Sequence, residues 1–91
     1  MVAQKTIGEM TVVERKALLS TVAEALLTCA ERAADDGDFR SEANSLSTAS
    51  IIMGSLDELA RVRLDAAEIV LQQAISLIES SRGRSDRRVL H

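Results

Sequence analysis

Few residues in this chain could do chemistry, and their settings decide most of the question. It has one Cys and one His in 91 residues. Cys29 could be a nucleophile or redox thiol. It falls on the apolar face of a predicted helix, among Leu and Ala, with no basic residue one turn away on that face, a setting that leaves a thiol inert. Packing as a small hydrophobe is the better reading. His91 could be a ligand or general base, but it sits on a polar terminal stretch, and without it Ser–His and Cys–His arrangements have no base. Asp35, Asp36, Asp38 and Glu42 superficially suggest a calcium loop. A calcium loop needs carboxylates at alternating positions, a glycine sixth and a glutamate twelfth, so Asp-Asp-Gly-Asp reads better as a solvated turn. No Glu-x-x-His pair and no Gly-rich phosphate loop occurs. The expectation is no enzyme, no metal and no cofactor.

Composition narrows the class further. Apolar residues make up 46% and charged residues 27%, which is globular composition, while aromatics are 1%, too few for base stacking on single-stranded nucleic acid. A single Cys excludes an internal disulfide and fits a reducing, cytoplasmic setting. No apolar run suits a signal peptide or a membrane span, so no membrane association is expected. The net charge of −3 is asymmetric. Residues 1–80 carry 7 basic and 13 acidic side chains, whereas 81–91 carry Arg82, Arg84, Arg87 and Arg88 against Asp86. An acidic body with a basic tail differs from a dedicated DNA-binding domain, whose basic residues line one folded face.

With no proline, and glycine only at 8, 37, 54 and 83, the punctuation is plain. Thr11-Val-Val-Glu14 is a capping box. It opens a helix over about 12–34 whose apolar face includes Leu18, Leu19, Val22, Leu26 and Cys29, and Gly37 supplies the stop. Asp38 caps a second helix, about 39–53, with Phe39, Ala43, Leu46, Ala49, Ser50 and Met53 predicted inward. Gly54 followed by Ser55-Leu-Asp-Glu58 predicts a break and another capping box; the alternative is one continuous helix over about 39–80, since a single glycine costs only about 1 kcal/mol in a helix. A third helix covers about 56–80, with Asp65-Ala-Ala-Glu68 in its interior. Its apolar arc spans about 180°, against the roughly 100° of an ordinary surface helix. The fold class is all-α: a three-helix or helical-hairpin bundle over 1–80, with 81–91 a basic flexible tail.

Three helices make a thin core for 91 residues, and some apolar residues are left over. Ile51 and Ile52 lie off the Leu46 face, and Leu59, Val62, Ile69 and Val70 extend the third helix's arc. Arg63 falls near the centre of that arc, where its stem lies along apolar surface or its guanidinium meets a carboxylate at an interface. These seven residues form the candidate interface. The expected function is a non-catalytic interaction module (adaptor, small chaperone or regulatory subunit), a homodimer that docks an amphipathic partner helix. The alternative is a dimeric regulator contacting nucleic acid weakly through Arg82, Arg84, Arg87 and Arg88.

The stretch Ala30-Glu-Arg-Ala-Ala-Asp-Asp-Gly37-Asp38-Phe39, with Leu46, Ala49 and Ile52 after it, is similar to the helix–Gly-Asp–helix turns of small helical adaptors. Tetratricopeptide hairpins, flagellar export chaperones and secretion-system chaperones have turns of this kind. Ala43 falls one place later than tetratricopeptide spacing, and the aromatic positions of those repeats and flagellar chaperones are missing. The resemblance covers about 25 residues and implies a scaffold that binds another helix.

Overall fold

A computed structural model describes the backbone of residues 6–90 and the side chains of residues 6–82. A one-turn 3-10 helix, Ile7–Glu9, leads into α1 (Val12–Asp35), α2 (Phe39–Gly54), α3 (Leu56–Arg61) and α4 (Leu64–Leu90). Among the described residues there is no strand, and no helix is long and apolar enough to cross a membrane.

Local chemistry explains the boundaries. The Thr11 amide donates to Glu14 Oε1 at 2.8 Å, while the Glu14 amide donates to Thr11 Oγ1 at 3.1 Å, completing the expected box. At the other end of α1, Gly37 takes φ +77°, its amide donating to Ala34 O while that of Asp38 donates to Ala33 O. This pair of bonds is the Schellman arrangement, which satisfies carbonyls that the helix leaves open. Asp38 then caps α2, accepting from the Ser41 amide and hydroxyl. Turn and cap together fold α2 back along α1, its most extensive neighbour.

The predicted third helix is two helices. Val62 and Arg63 both donate their amides to Glu58 O, and α4 restarts with the Ala67 amide on Arg63 O. Asp65 therefore lies in a first helical turn, not in a helix interior. No glycine or proline marks this break. Its partner is Arg15 on α1, whose Nη1 donates to Ala60 O at 2.9 Å. In a continuous helix that carbonyl would accept the amide four residues on. The same guanidinium donates through Nε to Ile7 O at 2.8 Å, so one half-buried side chain ties the 3-10 helix, α1 and the end of α3 together. The break at Gly54 forms as expected. Ser55 does not cap α3 through its side chain, because its φ of −124° and ψ of 25° keep it in the closing turn of α2.

Small residues dominate the interior. Ala60, Ala67, Ala74 and Ser81 recur every seven residues and are all buried, as are Ala23, Ala30, Ala33 and Ala49, whereas only Leu19, Leu26 and Ile52 are large and completely enclosed. Buried Ser81 carries the seam past the predicted helix end. A helix tolerates Gly83 at a cost of about 1 kcal/mol, and α4 runs to Leu90 where a flexible tail was expected. The inward face of α2 also differs from expectation. Ser45, Thr48, Ala49 and Ile52 face the core, while Phe39, Ala43, Leu46, Ser50 and Met53 face outward. Small side chains let α2 approach α1 closely, and Thr48 satisfies its own hydroxyl on Asn44 O at 2.9 Å.

Two stability predictions follow from these contacts. Arg15→Ala should lower unfolding free energy by about 1.5–3 kcal/mol, the range for hydrogen bonds to charged groups, read from urea denaturation; a midpoint unchanged from wild type would refute the clamp. Gly37→Ala should cost about 1–2 kcal/mol through its left-handed backbone, and an unchanged thermal midpoint would contradict that.

Candidate interaction surface

The structure divides the seven predicted interface residues into two groups. Ile52 is fully enclosed and Leu59 is 4% exposed, so both belong to the core. Ile52 lies on the small-residue face that packs inward, and Leu59 joins the core cluster from α3. Ile51, Val62 and Ile69 are exposed at 52%, 73% and 65%, Arg63 is exposed and Val70 is half-buried.

Four of the seven surround one depression of about 190 Å³. Ile51 from α2 and Val70 from α4 form its apolar walls, Leu59 its floor, and Arg63 with Glu58 its charged rim. Val62 and Ile69 do not line it. Arg63 sits at the α3–α4 break, outside any continuous apolar arc, with Nη1 3.7 Å from Glu58 Oε2. Both side chains are more than half exposed, so this pair contributes little to stability.

Two further grooves were not anticipated. One, about 260 Å³, runs beside α2 between Leu27 of α1 and Leu46, Ser50 and Met53, and no charged residue lines it. The other, about 300 Å³, lies beside the 3-10 helix, with Ile7, Met10, Leu18, Leu71 and Ile75 as apolar lining and Glu68 and Gln72 as polar lining. The spacing of Leu46, Ser50 and Met53 marks the first, but periodicity alone points that stripe toward the core.

Charged groups near the first depression are engaged with one another. Asp57 accepts from Arg61 Nε at 2.8 Å and Lys16 Nζ at 3.3 Å, linking α3 to α1. Those hydrogen bonds, Arg61 first and Lys16 second, hold its carboxyl below the usual aspartate range. Glu9 is lowered likewise by the Thr6 amide and then the Thr6 hydroxyl. Among the described residues no group of three or more His, Cys, Asp and Glu could hold a metal. Cys29 is buried. Arg82 is exposed, while the side chains of Arg84, Arg87 and Arg88, and all of His91, lie outside the described residues.

The Asp57 link has a pH signature. Because its folded pKa is lowered, the stabilisation is present above the ordinary aspartate pKa and lost as pH falls through the folded value. A carboxyl-carbon NMR titration should place Asp57 below the ordinary aspartate value, and Arg61→Ala should move it upward; an Asp57 midpoint that Arg61→Ala leaves unmoved would contradict this. No protein-family model matches the chain, and neither a curated protein nor a solved structure shows significant similarity to it.

Proposed function

We propose that this chain is a non-catalytic protein–protein interaction module, an adaptor, small chaperone or regulatory subunit that docks a partner helix. The observation that supports it best is the depression between α2 and α4, with Ile51 and Val70 facing across the Leu59 floor and the Arg63–Glu58 pair at its edge. Its volume of about 190 Å³ lies below the roughly 300 Å³ at which small-molecule sites begin. Such a space suits an apolar anchor from a helix, with Val62 and Ile69 extending contact along the partner. Each large aliphatic side chain that becomes fully covered contributes about 1.5–3 kcal/mol before the cost of association. Self-association into a homodimer belongs to the same reading, as does a cytoplasmic setting for the unpaired Cys29.

The test is selective loss of a partner. Affinity purification with mass spectrometry should recover a specific protein on the wild-type chain, and Ile51→Glu should reduce that recovery tenfold or more with helicity unchanged. Val13→Glu, exposed on α1 away from the depression, should leave recovery intact. Equal recovery with all three proteins would overturn the proposal.

A further inference from the structure

The interruption between α3 and α4 falls in Arg61-Val-Arg-Leu-Asp65, which holds no glycine or proline. The local sequence therefore does not require a break. A joined helix is compatible with the core, because Ala60 and Ala67 straddle the interruption seven residues apart and are both fully buried. Seven residues is close to two full turns, so one continuous helix would present both to the same side.

Arg15 is what stands in the way. In a joined helix Ala60 O would accept the Leu64 amide, but Arg15 Nη1 donates to it at 2.9 Å. A side chain inserted into the backbone ladder is a recognised cause of a helix kink. The guanidinium is a rigid plane, so its other contacts decide where Nη1 points. Those contacts are with the 3-10 turn: Nε donates to Ile7 O at 2.8 Å and Nη2 lies 3.4 Å from Gly8 O.

The turn itself is lightly fastened. Its capping bonds are internal, the Thr6 amide and hydroxyl both donating to Glu9 Oε1 at 2.9 and 3.0 Å. Ile7 is its buried residue. Beside Ile7 and Met10 lies the open groove of about 300 Å³ against Leu18, Leu71 and Ile75, so that flank lacks the close packing of an interior.

We propose that the Ile7–Glu9 turn is a latch that controls the depression between α2 and α4. With the turn seated, Arg15 holds Ala60 O and the interruption stays open. When the turn lifts, Arg15 loses Ile7 O, the Leu64 amide takes Ala60 O, and α3 and α4 join. Joining recovers one backbone hydrogen bond but gives up two from Arg15 and the burial of Ile7, so the seated form is the resting one. Joining also closes the depression. In one helix Leu59, Arg63, Ala66 and Val70 fall at i, i+4, i+7 and i+11, a single strip. All four line the depression, and the Arg63 stem would then fill the space between Leu59 and Val70. This inference rests on the docking reading above and names how that surface is switched. By linkage, a partner seated in the depression keeps the interruption open and tightens the latch.

Backbone NMR on the full chain carrying Ile7→Ser or Arg15→Met tests this. Val62, now at φ −122° and ψ −44°, and Arg63 should move to helical Cα shifts in both variants. The Leu64 amide should exchange with solvent at least tenfold more slowly than in the wild type. Destabilisation speeds exchange, so gained protection reports joining and not damage. Both variants should also recover less partner, whereas Ile51→Glu should lose the partner with Leu64 exchange unchanged. Absence of any partner overturns the docking reading alone, since Leu64 still decides the latch. Folded variants whose Leu64 exchanges as fast as wild type or faster overturn the latch. Loss of helicity in both variants overturns it too, because the turn is then an integral part of the core.

Discussion

The structure depends on close helix packing through small side chains. Ala60, Ala67, Ala74 and Ser81 on one side, with Ala23, Ala30, Ala33 and Ala49 on the other, let backbones approach where leucines would hold them apart. Close approach gains dispersion contact along the whole helix length, but it leaves little room inside for large residues. Val13, Leu27, Phe39, Leu46, Ile51, Met53, Val62, Ile69 and Ile75 consequently stand outside. A chain with 46% apolar residues that fills its core largely with alanine keeps many of its large apolar side chains on the surface.

Arg15 fixes how those surfaces are arranged. By holding the carbonyls of Ile7 and Ala60, it stabilises the interruption between α3 and α4. The interruption turns Leu59 inward while Arg63 stays at the surface beside Glu58. A straight helix through this region would carry Leu59 and Val70 on one continuous arc, as their spacing suggests. The bend converts that arc into a walled depression.

What could be read from the sequence followed the range of the interactions responsible. Thr11 with Glu14, Gly37 with its positive φ, Asp38 over Ser41 and the break at Gly54 are settled within a few residues. They were therefore legible. The interruption at Val62 is sustained by a side chain 45 residues away from Ala60, so no local pattern disclosed it. The orientation of α2 failed for another reason. Phe39, Leu46 and Met53 give a stronger apolar signal than Ser45, Thr48 and Ala49, yet the small face packs inward. Periodicity finds a stripe without saying which partner it meets. For the candidate surface, Ile51, Arg63 and Val70 line one depression, whereas Ile52 is enclosed, because a one-residue step along α2 crosses from surface to core.

The most direct measurement of whether small side chains fill the interior and displace large ones is an NMR solvent-accessibility experiment on the full chain with a soluble paramagnetic relaxation agent. The account predicts strong relaxation of the Phe39 ring and of the Leu46 and Ile51 methyls, with the Leu19, Leu26 and Ile52 methyls protected. Phe39 and Leu46 protected as fully as Leu19 and Leu26 would contradict it.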